Sequence, residues 1–389
     1  MNATPLPIPI DLVIGTRPNI VKAGPLLAAL RAESWCRPRV VFLAQHTLDA
    51  MSDFTLEDLL FESEDIHRIP LSAGSTGSRL GEMIERYMDL LAAAPARLVL
   101  VFGDVDATLA AAYAGKRMAI PVAHVEAGLR SGDMRMPEEL NRRMIDSIAD
   151  FLFTTTEQAG LNLLAEGRRP AQITFTGNLM IDAMKMTLSR ASVLDEGSSL
   201  CAQYGLVPDE YAIATFHRPS NVDAASGVRG VAEVLTAASH QIPVLFPIHP
   251  RTQAAFERHG LLQLLHGNPN LKLVPPLRYR HFMALLSRCR LALTDSGGLQ
   301  EETSVLGIPC LTFRENTERP ETITEGTNRL VRAQDAGLEV AGVLASPLPA
   351  RATIPGWDGR SAARIVQAIH SSLMACETGS SHVVTSMLQ

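Results

Sequence analysis

Short apolar runs recur along the chain, and each stops at a glycine, a proline or a polar residue. Runs over 10–14, 40–44, 98–102, 121–125, 151–155 and 173–176 read as strands, as do those over 211–216, 244–248, 271–274, 291–294 and 308–313. The run over 98–102, LVLVF, has no polar face, which is the pattern of a strand buried on both sides of a parallel sheet. Helical patterns lie between the strands: over 20–32 behind Pro18, over 107–118, behind Pro137, over 279–288, and from Gly298 to Leu306. Gly307 supplies the left-handed residue that ends the last of these, and a further helix is expected over about 359–374. Strand and helix alternating through short turns predicts doubly wound parallel sheets, an α/β class. At 389 residues the chain is too long for one ordinary core. Two Rossmann-like domains are therefore expected, over 1–178 and 179–358. A terminal helix about 359–376 would complete the first, and 377–389 would form a frayed tail.

Ligands collect at the carboxyl ends of strands in such sheets, and those ends carry the polar residues here. The first turn, Gly15-Thr16-Arg17-Pro18, is not G-x-G-x-x-G and argues against a dinucleotide fingerprint. It sets Arg17 at a helix N-terminus, where the dipole disfavours a cation; the arginine is either kept there for an anion or is a surface residue at a turn. Asp104, His124 and Glu126 end the next two strands, and Glu138 lies in the first turn of the helix that Pro137 opens. Negative charge is favoured in a first turn in any case. If the three acids face one site, their mutual repulsion would lift at least one pKa toward neutrality, as general acid–base work requires. In the second half, His217 and His249 end strands; His217 could support a departing diphosphate or could simply be structural. Asp295-Ser296-Gly297-Gly298 joins a strand to a helix, where exposed amides suit a phosphate. Glu302, one turn further on, could accept from a ribose diol; the alternative is an ordinary tight turn with a solvated glutamate.

Composition narrows the partners. The net charge of −6 gives no encouragement to nucleic-acid binding but leaves an anionic small molecule open, since local amides and arginines decide that. Cys36, Cys201, Cys289, Cys310 and Cys376 are widely spread with no C-x-x-C, so they read as reduced and cytoplasmic, with no metal site. No apolar run approaches the roughly 18 residues of a membrane span, and the N-terminus has no basic leader.

Several blocks together carry a resemblance. They are Gly15 to Pro18, Gly103-Asp104, His124 to Arg130 (HVEAGLR), Pro137-Glu138-Glu139 with Asn141-Arg142, Thr176-Gly177-Asn178, His217-Arg218, Asp295 to Glu302, and Thr317 to Glu321. In this order, over about 10–375, the chain resembles the non-hydrolysing UDP-N-acetylglucosamine 2-epimerases. The resemblance implies a GT-B fold of two domains facing a central cleft, with the C-terminal helix packing back on the first. It also implies inversion at C2 of a UDP-linked 2-acetamido sugar without a cofactor or metal, and a homodimer. Carried over residue by residue, it makes Asp104, Glu126 and Glu138 the catalytic carboxylates and His217 the essential histidine. Arg17, Ser296, Gly297, Gly298 and Glu302 become nucleotide contacts, with Lys22, Gln45, His46, Arg130, Arg142, His249 and Arg319 as further substrate contacts.

The chain departs from the family pattern near the sugar. Thr47-Leu48-Asp49 follows Gln45-His46 where a Tyr-Asp pair is usual, the loop over 74–78 is atypical, and Pro219-Ser220 follows His217-Arg218. A UDP-2,3-diacetamido uronic acid therefore fits as substrate as well as UDP-N-acetylglucosamine does. A hydrolysing epimerase, a GT-B glycosyltransferase and a nucleotide-sugar-binding regulator are the other readings. The transferase would share Ser296 to Glu302 but would not need three acids.

Overall fold

The structure, a computed structural model, describes residues 6–45, 59, 66–72 and 74–377. His46, the Thr47-Leu48-Asp49 departure and the tail from 378 onward lie outside the described residues. The chain forms two compact units, Met1–Ala183 with Pro355–Gln389, and Met184–Ile354.

The first unit is built on seven parallel strands in the order β3-β2-β1-β4-β5-β6-β7. They are β1 (Ile8–Ile14), β2 (Cys36–Gln45), β3 (Ile66–Leu71), β4 (Leu98–Phe102), β5 (Val122–Ala127), β6 (Phe151–Thr154) and β7 (Ile173–Phe175). All five residues of β4 are buried, as its unbroken apolar run predicts. The strand order reverses between β1 and β4, which opens a switch point at their carboxyl ends. Asp11 in β1 is fully buried and accepts two 2.7 Å hydrogen bonds from Arg39 and one of 2.8 Å from the Tyr87 hydroxyl. The terminal helix Ser361–Glu377 packs on the helix Arg17–Arg31 and so belongs to this unit. Trp357 Nε1 donates to the Thr155 carbonyl at 3.2 Å just ahead of it, and the Ala362 amide donates to Asp182 at 2.8 Å.

The second unit repeats the plan with six parallel strands in the order β10-β9-β8-β11-β12-β13. These are β8 (Ala212–Thr215), β9 (Val244–Pro247), β10 (Leu271–Val274), β11 (Leu291–Thr294), β12 (Cys310–Thr312) and β13 (Asn328–Leu330). Its switch point lies between β8 and β11. Gly307, at φ 77°, ends the helix Gly297–Leu306 in the left-handed conformation that the sequence assigned to it.

The loop expected over 74–78 is a correction. A helix begins at Thr76, and Ser75 caps it by accepting from the Ser78 amide at 3.3 Å. Edge strand β3 also escapes the apolar-run pattern. Its residues alternate between buried and exposed, and it contains Pro70, which a sheet edge tolerates. Among the described residues Cys36, Cys201, Cys289 and Cys310 are free and buried, and burial pushes the Cys36 and Cys310 thiols up to about 11. Among the same residues no helix is long and apolar enough to cross a membrane, and no group of three metal-ligating side chains occurs.

Candidate active site

In the first unit the polar residues gather where β1, β4 and β5 end. Asn19 ties the first two ends together. Its side-chain oxygen accepts from the Gly15 amide at 3.2 Å and the Thr16 hydroxyl at 3.1 Å, while its amide donates to the Phe102 carbonyl at 3.0 Å. One turn along the same helix, buried Lys22 forms an ion pair with the carboxylate of Glu126, which is also buried. Glu126 has a φ of 71°, a conformation that costs an L-residue about 1 kcal/mol, and the β5–β6 register slips at this point. The bulge turns a carboxylate out of the strand and onto a lysine of the helix that follows β1.

His124, two residues earlier, is fully buried. Its Nδ1 lies 2.7 Å from Asp146 Oδ1, and its Nε2 lies 2.8 Å from the Gly103 carbonyl. The ring is thus held between a carboxylate and a backbone carbonyl. The backbone just before Asp104 is thereby fastened to β5. Asp146 also accepts from the Gly128 amide at 3.1 Å and pairs with Arg130 at 2.8 Å. Burial would push Asp146 up, but His124 and Arg130 outweigh it and hold the carboxyl below its ordinary range. Arg130 completes its fork on Glu166, at 2.8 and 2.6 Å.

Asp104 is partly open, with 29% of its side chain exposed against 5% for its partner Arg142. Arg142 also reaches Glu139 at 2.6 Å. Glu139 is fully buried and accepts from the Ser131 amide at 2.8 Å and from Arg143 at 3.2 Å. Burial opposes its ionisation, but the Ser131 amide and the two arginines win and hold it below the ordinary carboxylate range. Asn141 donates to the Asp104 carbonyl and to Asp106, both at 3.0 Å. Glu138 is half-buried in the first turn of the helix Pro137–Ile148. Mutual repulsion among bare acids therefore does not describe this arrangement, because Asp104 and Glu126 each pair with a cation of their own.

In the second unit a single buried carboxylate shapes the end of β8. Asp295 accepts from the His217 amide at 3.1 Å, the Arg218 amide at 3.0 Å and the Asn221 side chain at 3.0 Å. The His217 ring stands 3.4 Å from the same carboxylate with 42% of its side chain exposed. His249, whose ring centre is 6.2 Å from that of His217, caps the helix Pro250–Arg258 by accepting from the Arg251 amide at 3.2 Å. The helix Gly297–Leu306 starts behind Ser296, whose side chain makes no cap, so its first amides are not satisfied locally. A Cβ at Gly297 would lie 2.6 Å from Arg319 Nη1, so a side chain there would displace the end of that arginine.

Arg319 is held against that helix start by Glu301 at 2.6 Å and Glu318 at 3.5 Å, and Arg314 chelates Glu318 at 3.0 and 2.8 Å. Despite burial, the two arginines pull the Glu318 carboxyl down to about 2. Nearby, burial, helped by the Glu301 charge, lifts Glu321 to about 7. Glu302 is buried, and its Oε1 accepts from the Tyr279 hydroxyl at 2.9 Å.

The structure thus brings Lys22, Asp104, Glu126 and Arg142 together at the first switch point, and His217, Ser296, Gly297 and Arg319 at the second. Arg17 is exposed at the start of its helix, and Gln45 ends β2. Arg130 is committed to Asp146 and Glu166. Sequence reasoning passed over the residues that hold the others in place: Asn19, Glu139, Asp146, Tyr279, Asp295 and Glu301. Asp295 carried a signal, as the polar residue that stops the apolar run over 291–294, and Glu139 and Glu301 lie inside the blocks that carry the resemblance without a role of their own.

Comparison with known proteins adds a third line of evidence. The UDP-N-acetylglucosamine 2-epimerase family pattern matches residues 28–370. A UDP-N-acetylglucosamine 2-epimerase of Methanocaldococcus jannaschii is 35% identical over 83% of this chain and 88% of its own. A UDP-2,3-diacetamido-2,3-dideoxy-D-glucuronate 2-epimerase of Pseudomonas aeruginosa is 36% identical over 82% and 87%. The crystal structure of the M. jannaschii UDP-GlcNAc 2-epimerase in complex with UDP-GlcNAc and UDP matches with a TM-score of 0.85 at 33% identity, over 94% of this chain and 100% of that one.

Proposed function

The chain belongs to the UDP-N-acetylglucosamine 2-epimerase family and is an isomerase of that kind, and from this premise we propose that it inverts C2 of UDP-N-acetylglucosamine by eliminating and re-adding UDP. The C2 proton has no neighbouring carbonyl, so simple deprotonation would leave an unstabilised carbanion. Loss of UDP from C1 removes the difficulty. The C2–H electron pair forms the C1=C2 bond, the C1–O pair leaves with the diphosphate, and a carboxylate takes the proton. The intermediate is 2-acetamidoglucal. UDP oxygen then re-bonds to C1 while a proton reaches the opposite face of C2, giving UDP-N-acetylmannosamine.

One observation carries this reading. Two carboxylates, Asp104 and Glu126, stand at the ends of adjacent strands, each paired with its own cation, Arg142 and Lys22. Acids held this way can exchange a proton with substrate without being free to swing, and Glu138 is the third acid in the proposal. In the second unit, His217 and the amides at Gly297 and Gly298, with Arg319, oppose the charge that develops on the departing diphosphate. Glu302 accepts from the ribose hydroxyls. Arg17, Lys22, Gln45, His46, Arg130, Arg142 and His249 are proposed as further substrate or framework contacts, and the enzyme as a cytoplasmic homodimer.

The test is incubation with UDP-N-acetylglucosamine in deuterated water without acceptor. Deuterium entering C2 together with UDP-N-acetylmannosamine is expected. UDP accumulating with free N-acetylmannosamine would make the enzyme hydrolytic, and no exchange would remove the elimination route for this sugar. A second reading, a UDP-2,3-diacetamido uronic acid as substrate, is favoured by the similarity to the Pseudomonas relative. Exchange confined to that sugar would establish it and leave the mechanism standing.

A further inference from the structure

Glu301 and Glu302 are consecutive, both buried, and engaged by different chemistry: Glu301 by the Arg319 guanidinium at 2.6 Å, Glu302 by the Tyr279 phenol at 2.9 Å. Tyr279 is the first residue of the helix Tyr279–Leu286, and its half-buried ring comes from a βα turn other than the one that carries Glu302. A glutamate that must receive two vicinal hydroxyls needs its carboxylate plane fixed beforehand, since it otherwise rotates about three side-chain bonds. A phenol suits this task. It donates one hydrogen bond to Oε1 and brings no charge of its own to compete with the ligand.

We propose that Tyr279 is the positioning residue for Glu302 and that the pair sets the preference for a ribonucleotide over a 2′-deoxyribonucleotide. This rests on the reading of Glu302 as the ribose contact. A 2′-deoxy ligand brings one donor fewer to the carboxylate, and the loss is felt most when that carboxylate cannot turn to compensate.

The experiment measures affinity for UDP and 2′-deoxy-UDP in the full-length enzyme, in Tyr279→Phe, in Glu302→Gln and in the double variant, with KM and kcat for the UDP-sugar. The unaltered enzyme is expected to prefer UDP. Tyr279→Phe should weaken UDP about tenfold, the effect of losing a hydrogen bond to a charged group, and narrow the preference to about twofold. Its KM should rise while kcat stays, and in the Glu302→Gln background it should add nothing. The preference is a ratio taken within one preparation, so a partly unfolded fraction cancels. Undiminished preference in Tyr279→Phe, or a loss confined to kcat, would overturn the positioning role and leave Glu302 in place. Absence of any preference in the unaltered enzyme would remove the ribose contact itself.

Discussion

At the two switch points the pairs Asp104–Arg142 and Asp295–His217 expose opposite members. In the first unit the cation of the Arg142–Asp104 pair is hidden and the acid shows, at 5% against 29% side-chain exposure. In the second the acid of the Asp295–His217 pair is hidden and the base shows, at 0% against 42%. Glu301 and Arg319 repeat the second pattern, at 2% and 13%. Burying one member of a pair fixes it, and the other is then offered to a ligand at lower entropic cost. The first switch point therefore presents the Asp104 carboxylate while Glu126 and Lys22 both stay buried, and the second presents the His217 ring and the Arg319 guanidinium.

The contrast is broken most severely at the presented acids. Asp104→Asn and Glu138→Gln should keep UDP affinity within about threefold and lower kcat by at least about a hundredfold, the loss expected of general acid–base groups. Steady-state turnover and UDP titration on the same preparations decide the matter, and full activity in both variants would remove the acid assignment. The next largest effect falls on a hidden acid. Asp295→Ala leaves several donors without an acceptor at the end of β8, so unfolding in urea should show a loss of about 3 kcal/mol, together with most of the activity. An equal loss of activity at unchanged stability would mean that Asp295 acts on substrate and does not merely hold the loop. Glu301→Gln is a milder change of the same kind. It weakens the grip on Arg319 and should raise the Kd for UDP about tenfold with kcat little altered, as UDP titration would show.

Much of the scaffold and the presented residues could be read in the sequence, and the holders could not. Strands β4 and β11 begin and end where their apolar runs do, because a strand covered on both faces admits no charged residue until it leaves the core. The chemistry at each strand end is legible for the same reason: the first polar residue after such a run stands at the ligand side. Asp146 and Glu139 look instead like two of several charges on an amphipathic helix, and only the fold reveals that one meets His124 and the other Arg142. Tyr279 reads as the opening residue of a helix, and its partner lies 23 positions away. The left-handed conformation of Glu126 is also invisible from the sequence, since glutamate does not advertise a positive φ as glycine does.

The smallest expected effect separates the two kinds of buried acid within the second unit. Glu318, pulled down to about 2 by Arg314 and Arg319 despite burial, favours the folded state above the ordinary carboxylate range, and this contribution is lost only as pH falls toward 2. Glu321, lifted to about 7 by burial and the Glu301 charge, acts in the opposite sense. Its folded form holds a proton that the unfolded chain releases near pH 4.5, so its contribution is full below that value and is lost as pH rises through 7. Between pH 5 and 7.5 the unaltered protein should therefore lose on the order of 1 kcal/mol, part of the full shift being screened by solvent at a group that is not wholly buried. Glu321→Gln, which cannot release a proton, should flatten that slope while leaving the acid limb governed by Glu318 unchanged. Urea unfolding of both proteins at half-unit pH steps measures the difference. A slope that persists in the glutamine variant would assign the titration to another group, and a slope of opposite sign in the unaltered protein would mean that Glu321 is held as a carboxylate like its neighbour.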